Sequence, residues 1–183
     1  MAKRYVALLR GINVGGKNPV PMVDLRAAFE AAGYRSVRTY IQTGNVVFES
    51  DAPARDLEGA IEAVLEDRFA IPLTVVVRSH QQVRNIVAKA PRGFGSDPGT
   101  YYSDTVFLKA PLTAEQAMRV VQLRPEVDQA WPGTGVIYFA RLAERRVQSK
   151  MSKIVGTAEY QRMTIRNWNT TTTILALLDD VDA

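Results

Sequence analysis

The sequence predicts an α+β protein made of two ferredoxin-like (βαββαβ) subdomains with antiparallel sheets, followed by a C-terminal helix. Three observations predict it. Short β-branched or aromatic runs bounded by turn residues alternate with amphipathic stretches in the order β-α-β-β-α-β over residues 5–79. The same order returns, less regularly, after a Pro/Gly-rich stretch at 90–100. A chain of 183 residues, 46% apolar and 23% charged, can also bury the core of one domain or of two small ones.

Taken in order, strands are expected at 5–10, 36–40, 45–50 and 72–79. Between them, Met22, Leu25, Phe29 and Ala32 make one helical stripe that follows Pro21 and stops at Gly33. Leu57, Ile61, Val64, Leu65 and Phe69 make a second. A linking helix at 80–88 leads into the 90–100 loop. The second half then shows a strand at 103–109, a helix at 113–121 and strands at 126–130 and 135–141 joined by the turn Trp131-Pro132-Gly133-Thr134. A helix within 148–161, a strand at 163–166 and a final helix from about 170 to 178 complete it. The expected partition is 1–79 for the N-terminal subdomain, 80–100 for a linking helix and loop, and 101–183 for the C-terminal subdomain.

Composition narrows the function. No run of about 18 apolar residues exists in the sequence, so no membrane span and no membrane partner are expected. The apolar run at 5–9 is too short, and too soon followed by Arg10, to act as a signal peptide, so a cytoplasmic location is expected. With no cysteine and one histidine, no disulfide, thiolate metal site or iron–sulfur cluster can form, and neither a metal nor a cofactor is expected. The net charge of +4 is unevenly placed. Residues 1–20 carry Lys3, Arg4, Arg10 and Lys17 and no acid, while 141–168 carry seven basic and two acidic residues. Gathered on a surface, such windows attract phosphate, nucleic acid or carboxylate.

The unusual loop chemistry lies in the same places. Arg10-Gly11-Ile12-Asn13-Val14-Gly15-Gly16-Lys17-Asn18-Pro19-Val20-Pro21 places three glycines, two asparagines and two prolines between a strand and a helix, far more than a turn requires. It contains G-x-x-x-x-G-K, but Asn18 replaces the Ser or Thr that would hold magnesium, and the prolines stand where the P-loop helix would run. What survives is a glycine-rich loop beside Lys17 and ahead of a helix N-terminus, suited to an anion, or a long turn whose glycines supply positive φ. Three further polar stretches follow: Gln42-Thr43-Gly44-Asn45, Ser149-Lys150-Met151-Ser152-Lys153 and Arg166-Asn167-Trp168-Asn169-Thr170. Thr43-Gly44-Asn45 suits a hairpin turn. Asn169 or Thr170 can cap a helix, which leaves Arg166, Asn167 and Trp168 unexplained; Trp168 suits packing or stacking equally.

Connection types set strand directions, since crossover-linked strands run parallel and hairpin-linked strands antiparallel. That logic places the 11–21 loop beside 42–45 at one edge of the first sheet, and 149–153 beside 166–170 at one edge of the second. The candidate ligand-binding residues are therefore Arg10, Asn13, Lys17, Gln42, Asn45, Lys150, Lys153, Arg166, Asn167 and Trp168. A Ser–Lys dyad at 149–153 is rejected, because a nucleophilic lysine needs a desolvated site and this window is basic. His80 reads as a capping or surface residue, and Asp179, Asp180 and Asp182 as a fraying tail rather than a metal site.

The stretches 8–16, 38–46 and 166–170, Leu-Leu-Arg-Gly-Ile-Asn-Val-Gly-Gly, Arg-Thr-Tyr-Ile-Gln-Thr-Gly-Asn-Val and Arg-Asn-Trp-Asn-Thr, strongly resemble a bacterial domain-of-unknown-function family, number 1697. The resemblance spans essentially the whole chain. It implies a compact α+β protein built from ferredoxin-like parts and supplies no activity, substrate or catalytic residue. Two departures are visible: Thr43 stands where a serine is usual, and the Ser-Lys pair occurs twice. The leading expectation is a module binding an anionic small molecule or nucleic acid. One alternative is a hydrolase or transferase using the same loops, with Tyr40 and Asp24 the nearby candidates for a base; the other is a structural or interaction protein. No catalytic residue is assigned.

Overall fold

Alternation along the strands decides how the first unit packs. In β1 (Lys3–Leu9), Tyr5, Ala7 and Leu9 point to one side of the sheet and Val6 and Leu8 to the other, and all five are buried. The computed structural model describes residues 2–180; Asp182 lies outside them. β2 (Arg35–Tyr40), β3 (Asn45–Ser50) and β4 (Val75–Ser79) complete a sheet in the order β2-β3-β1-β4, with every neighbouring pair antiparallel. This is the ferredoxin-like order.

Helices α1 (Met22–Ala31) and α2 (Ala54–Phe69) cover one side. Leu25, Phe29, Leu57, Ile61 and Leu65 meet Tyr5, Leu9, Val46, Phe48 and Val77 there. Each such side chain contributes about 1.5–3 kcal/mol when withdrawn from water. Phe48 sits at the centre, 5.8 Å from the Tyr5 ring, 5.4 Å from Phe29 and 4.9 Å from Tyr34. β4 is an edge strand, and α2 closes its outer face: Glu62 and Glu58 accept hydrogen bonds from the Val75 and Val77 amides at 2.8 and 2.9 Å. An edge covered in this way cannot recruit another strand.

The structure divides into two compact units, one of residues up to Arg84 and from Thr173 onward, the other Asn85–Thr172. The division falls inside α3 (His80–Ala88) and inside α5 (Trp168–Asp179). In the first unit the last turns of α5 are held by two guanidinium groups. Arg4 donates to the Leu178 carbonyl at 2.7 Å and Arg38 to the Leu177 carbonyl at 2.8 Å, which satisfies orphan carbonyls and places positive charge at the negative end of the helix.

The second unit repeats the plan with a different cover. β5 (Tyr101–Leu108), β6 (Asp128–Gly133), β7 (Val136–Leu142) and β8 (Met163–Asn167) form a sheet in the order β6-β7-β5-β8, again antiparallel throughout. α4 (Ala114–Met118) begins with a capping box between Thr113 and Gln116. The helix expected within 148–161 does not form. Three 3₁₀ turns, Arg146–Gln148, Met151–Gly156 and Glu159–Arg162, stand in its place.

The reason is local competition for backbone groups. The Asp128 carboxylate accepts the Lys150 amide at 2.8 Å, the Ser149 hydroxyl accepts the Met151 amide at 3.2 Å, and the Thr157 hydroxyl donates to the Ile154 carbonyl at 2.7 Å. Met151 and Ile154 still reach the core beside Val106, Ile137, Phe139 and Met163. Trp131 and Pro132, expected in a turn, belong to β6; the turn is Thr134-Gly135, between the paired Gly133 and Val136. Among the described residues, no helix is long and apolar enough to cross a membrane.

Candidate functional site

Register places the first group of motif residues together. Leu8 pairs with Asn45 and Leu9 with Val75, so the end of β1, the β2–β3 hairpin and the entry to β4 share one sheet edge. The amide of Leu9 donates to the Gly44 carbonyl at 2.8 Å, and that of Arg10 to the Thr74 carbonyl at 2.9 Å. The 10–21 loop leaves from this edge.

Its composition is explained largely by its shape. Val14 and Lys17 form an isolated antiparallel bridge closed by Gly15 and Gly16, at φ 58° and 74°, a two-residue turn that needs positive φ at both central positions. Asn13 and Asn18 also adopt positive φ, which asparagine tolerates better than most residues. Asn18 Nδ2 donates to the Gly11 carbonyl at 3.0 Å. Asn13 does more: its Nδ2 donates to the Val20 carbonyl at 2.9 Å and to the Gln42 carbonyl at 2.8 Å, and its Oδ1 accepts the Val20 amide at 2.8 Å. One side chain thus closes the loop on itself and ties it to the hairpin. Ile12 anchors the underside; it is buried, and a Cβ on Gly44 would fall 2.7 Å from Ile12 Cδ1 and 2.8 Å from Leu9 Cβ.

Asn45 is fully buried, and its Nδ2 donates to the Tyr40 carbonyl at 2.9 Å and to Thr43 Oγ1 at 3.2 Å. Asn13 and Asn45 therefore build the edge. Lys17 and Gln42 are exposed and Arg10 half-buried, so these three are the ones able to meet a solute there. The loop amides of Asn13, Lys17 and Val20 are all engaged within the loop. α1 follows Pro21 with no side-chain cap, and Asp24 occupies its first turn.

In the second unit the ends of β7 and β8 also share an edge, since Leu142 pairs with Tyr101 and Asn167 with Asp104. The motif residues divide between its two faces. Met151, Ile154, Met163 and Ile165 lie on the side packed with Val106 and Phe139, so alternation turns Arg166 to the opposite side from the 151–156 segment. Arg166 is buried; it donates to Thr164 Oγ1 and to the Ile165 carbonyl, both at 2.9 Å, and desolvation pulls its guanidinium down to about 10. Lys153 is exposed and Lys150 half-buried.

Asn167, not Asn169 or Thr170, caps α5: its Oδ1 accepts the Thr170 amide at 2.7 Å. Trp168 packs edge-on against Phe94 at 5.0 Å, and a Cβ on Gly95 would fall inside its indole ring. Both residues thus have a structural account, and that of Trp168 rests on Phe94 and Gly95 of a distant loop. Sequence reasoning counted Arg141 and Arg146 only as charge and did not single out Tyr102. The structure brings both guanidinium groups over that ring, with each Cζ 5.8 Å from its centroid.

His80 Nε2 lies 2.6 Å from Asp179 Oδ1, which Arg84 also meets at 2.9 Å. Hydrogen bonds from Arg84 and then His80 hold the Asp179 carboxyl below its ordinary range. Asp179 thus belongs to an ion-pair cluster rather than to a frayed end. Asp180 meets Arg38 at 3.2 Å.

One solved structure shares this architecture. That structure, of the conserved bacterial protein SP0830 from Streptococcus pneumoniae, is 25% identical and superposes with a TM-score of 0.84, covering 97% of this chain and 99% of that one. Another, of an unknown protein from Galdieria sulphuraria, is 12% identical over 98% of this chain and 92% of that one, with a TM-score of 0.29. No curated protein matches the chain. The family described as "Protein of unknown function (DUF1697)" matches residues 2–138, and the chain belongs to that family.

Proposed function

We propose that the protein is a cytoplasmic binding module for an anionic ligand of the phosphorylated-metabolite class, held at the loop edge of the first sheet. Arg10 and Lys17 supply the charge and Gln42 a directional amide. The observation that supports this reading is the triple hydrogen bond of Asn13, which locks the basic loop against the hairpin. A locked loop avoids most of the ordering cost that a flexible one would meet on binding. Residues 1–20 contain no acid to oppose an anion.

Thermal melts of the whole protein test it, with inorganic phosphate, pyrophosphate and a sugar phosphate as ligands. A ligand present at about 100 times its Kd stabilises a fold by about 2.7 kcal/mol, which at this size raises Tm by roughly 5–11 °C. The rise is expected in the wild type and lost in Lys17→Ala and Arg10→Ala. An equal rise in those variants, or none in the wild type, would leave the loop as a structural feature. Turnover of generic phosphate esters or acyl esters that depends on Arg10 would instead favour a hydrolase or transferase at the same loops.

A further inference from the structure

We propose that the second unit carries a separate site for single-stranded nucleic acid, at the sheet edge where β5 begins and β7 ends. It does not rest on the phosphate reading of the first unit. Its centre is Tyr102, a large aromatic residue left 39% exposed. Arg141 is its direct cross-strand partner. Arg146, in the chain just beyond β7, reaches back so that its Nη1 donates to the Tyr102 hydroxyl at 3.1 Å. Both guanidinium groups lie over the ring, each with its Cζ 5.8 Å from the centroid.

Asp104, two residues along β5 on the same face, pairs with Arg141 at 3.3 Å and so orients it. The result is a preset cluster of two guanidinium groups around a part-exposed aromatic ring. Tyr101, also 36% exposed, offers a second ring on the other face.

The surrounding chain supplies the remaining chemistry. Residues 141–153 contain Arg141, Arg145, Arg146, Lys150 and Lys153 against Glu144 alone. Arg146 and Lys153 are exposed, and Val147 between them is 88% exposed. Aromatic and guanidinium planes interleaved with cations match a ligand that alternates flat bases with phosphates. A duplex hides its base faces, so the planes are useful only to a single strand. An acidic peptide would match the charge but would make no use of the exposed ring.

Fluorescence anisotropy of the full chain with labelled oligo-dT of about 12 nucleotides, within the span one such site covers, tests the proposal. Binding is expected at low salt, with log K falling linearly as log salt rises. Arg146→Ala should lower that slope by about 1, the release tied to one phosphate contact. Tyr102→Ala should weaken binding roughly 5- to 150-fold at every salt concentration, the range of one stacking contact, with the slope unchanged. Tyr102→Phe keeps the ring and should retain most of the affinity, which guards against misreading a folding defect. Arg26→Ala removes an equal charge elsewhere and should change nothing. Absence of binding at low salt, equal affinity for duplex, full displacement by polyglutamate, or equal loss in Arg26→Ala and Arg146→Ala would each overturn the proposal. The phosphate-induced melting shift of the first unit is a separate readout, so either reading can fail alone.

Discussion

The two sheets have corresponding strand orders, β2-β3-β1-β4 and β6-β7-β5-β8, yet the connection before the last strand differs completely. In the first unit it is the 16-residue helix α2; in the second it is three 3₁₀ turns. Strand pairing is therefore indifferent to whether the cover is helical. What the cover must supply is apolar anchors at the right places, Leu57, Ile61 and Leu65 in one case, Met151 and Ile154 in the other. Regular structure beyond that depends on whether side chains compete for the backbone. Glu58 and Glu62 project from α2 to β4 amides without disturbing the helix, whereas Asp128, Ser149 and Thr157 take backbone groups of the covering segment itself.

The largest effects should come from one glycine in each unit. Gly95, at φ 72°, has its Cβ position occupied by the Trp168 indole; Gly44, at φ 83°, has its own blocked by Ile12 and Leu9. Alanine at either site combines a left-handed conformation, about 1–2 kcal/mol, with overpacking, about 1–3 kcal/mol. A loss of about 2–5 kcal/mol is expected from each in urea unfolding. Gly16→Ala meets nothing within 4 Å and should lose only the conformational part, about 1–2 kcal/mol. Equal losses at Gly16 and Gly95 would show that steric contact adds nothing.

Next come the polar side chains that organise each edge. Asn13→Ala removes three hydrogen bonds and leaves the Val20 amide without its partner, for a loss of about 2–3 kcal/mol. Asp128→Ala removes an acceptor shared by the Arg124 and Lys150 amides and should lose a similar or slightly smaller amount, about 1.5–3 kcal/mol. The two should differ in circular dichroism. Asp128→Ala frees the 149–156 backbone and should raise helical content, while Asn13→Ala should not.

A pH titration sharpens the comparison further through Asp104, a buried carboxylate of the second unit. Burial holds its carboxyl above the ordinary carboxylate range, and Arg141 at 3.3 Å pulls it partly back. A raised folded-state pKa means that the native state holds its proton longer than the unfolded chain does. The associated stability is complete below the unfolded value near 3.8 and is lost as pH rises through the folded value. Stability of Asp104→Asn relative to wild type should therefore improve from acid toward neutral pH. Arg141→Ala should make the wild-type loss steeper, since it removes the group that favours the charged form. A flat difference for both variants would sink this assignment.

Most of the first unit was legible because burial there follows sequence periodicity: the α2 stripe is buried as its spacing predicts, and the strand at 45–50 and the helix at 80–88 begin and end where expected. The second unit was less legible for the reason that separates the units. Met151 and Ile154 are buried at helical spacing, but nothing local shows that Asp128, more than 20 residues earlier, will take the Lys150 amide. The candidate site was legible as a place but not as a division of labour. Asn13 and Asn45 stood out as unusual, yet their bonds to the Gln42 and Tyr40 carbonyls depend on hairpin register. Asn167 and Trp168 likewise take their roles from α5 geometry and from the 94–95 loop. Arg166 shares a sheet edge with 149–153, but alternation sends it to the other face, which a segment-level argument does not resolve.

The smallest expected effects differ between the units in sign. Arg26–Glu30 in α1 and Glu115–Arg119 in α4 are both exposed i,i+4 pairs, at 2.8 and 2.9 Å. Exposed pairs contribute about 0.3–0.5 kcal/mol at most, but their orientations are opposite. Glu115 lies in the first turn of its helix, where negative charge complements the dipole; Glu30 lies in the last turn of α1, which has no basic residue and where negative charge opposes the dipole. Glu115→Gln should therefore destabilise slightly, by about 0.5 kcal/mol, because pair and dipole are lost together. Glu30→Gln should be neutral or slightly stabilising, because relief of the dipole repulsion offsets the lost pair. Urea titrations at low ionic strength should resolve the difference, and about 1 M salt, where the Debye length falls to about 3 Å, should abolish it. Equal destabilisation in both variants, persisting in salt, would mean that the side chains act through packing and not through charge.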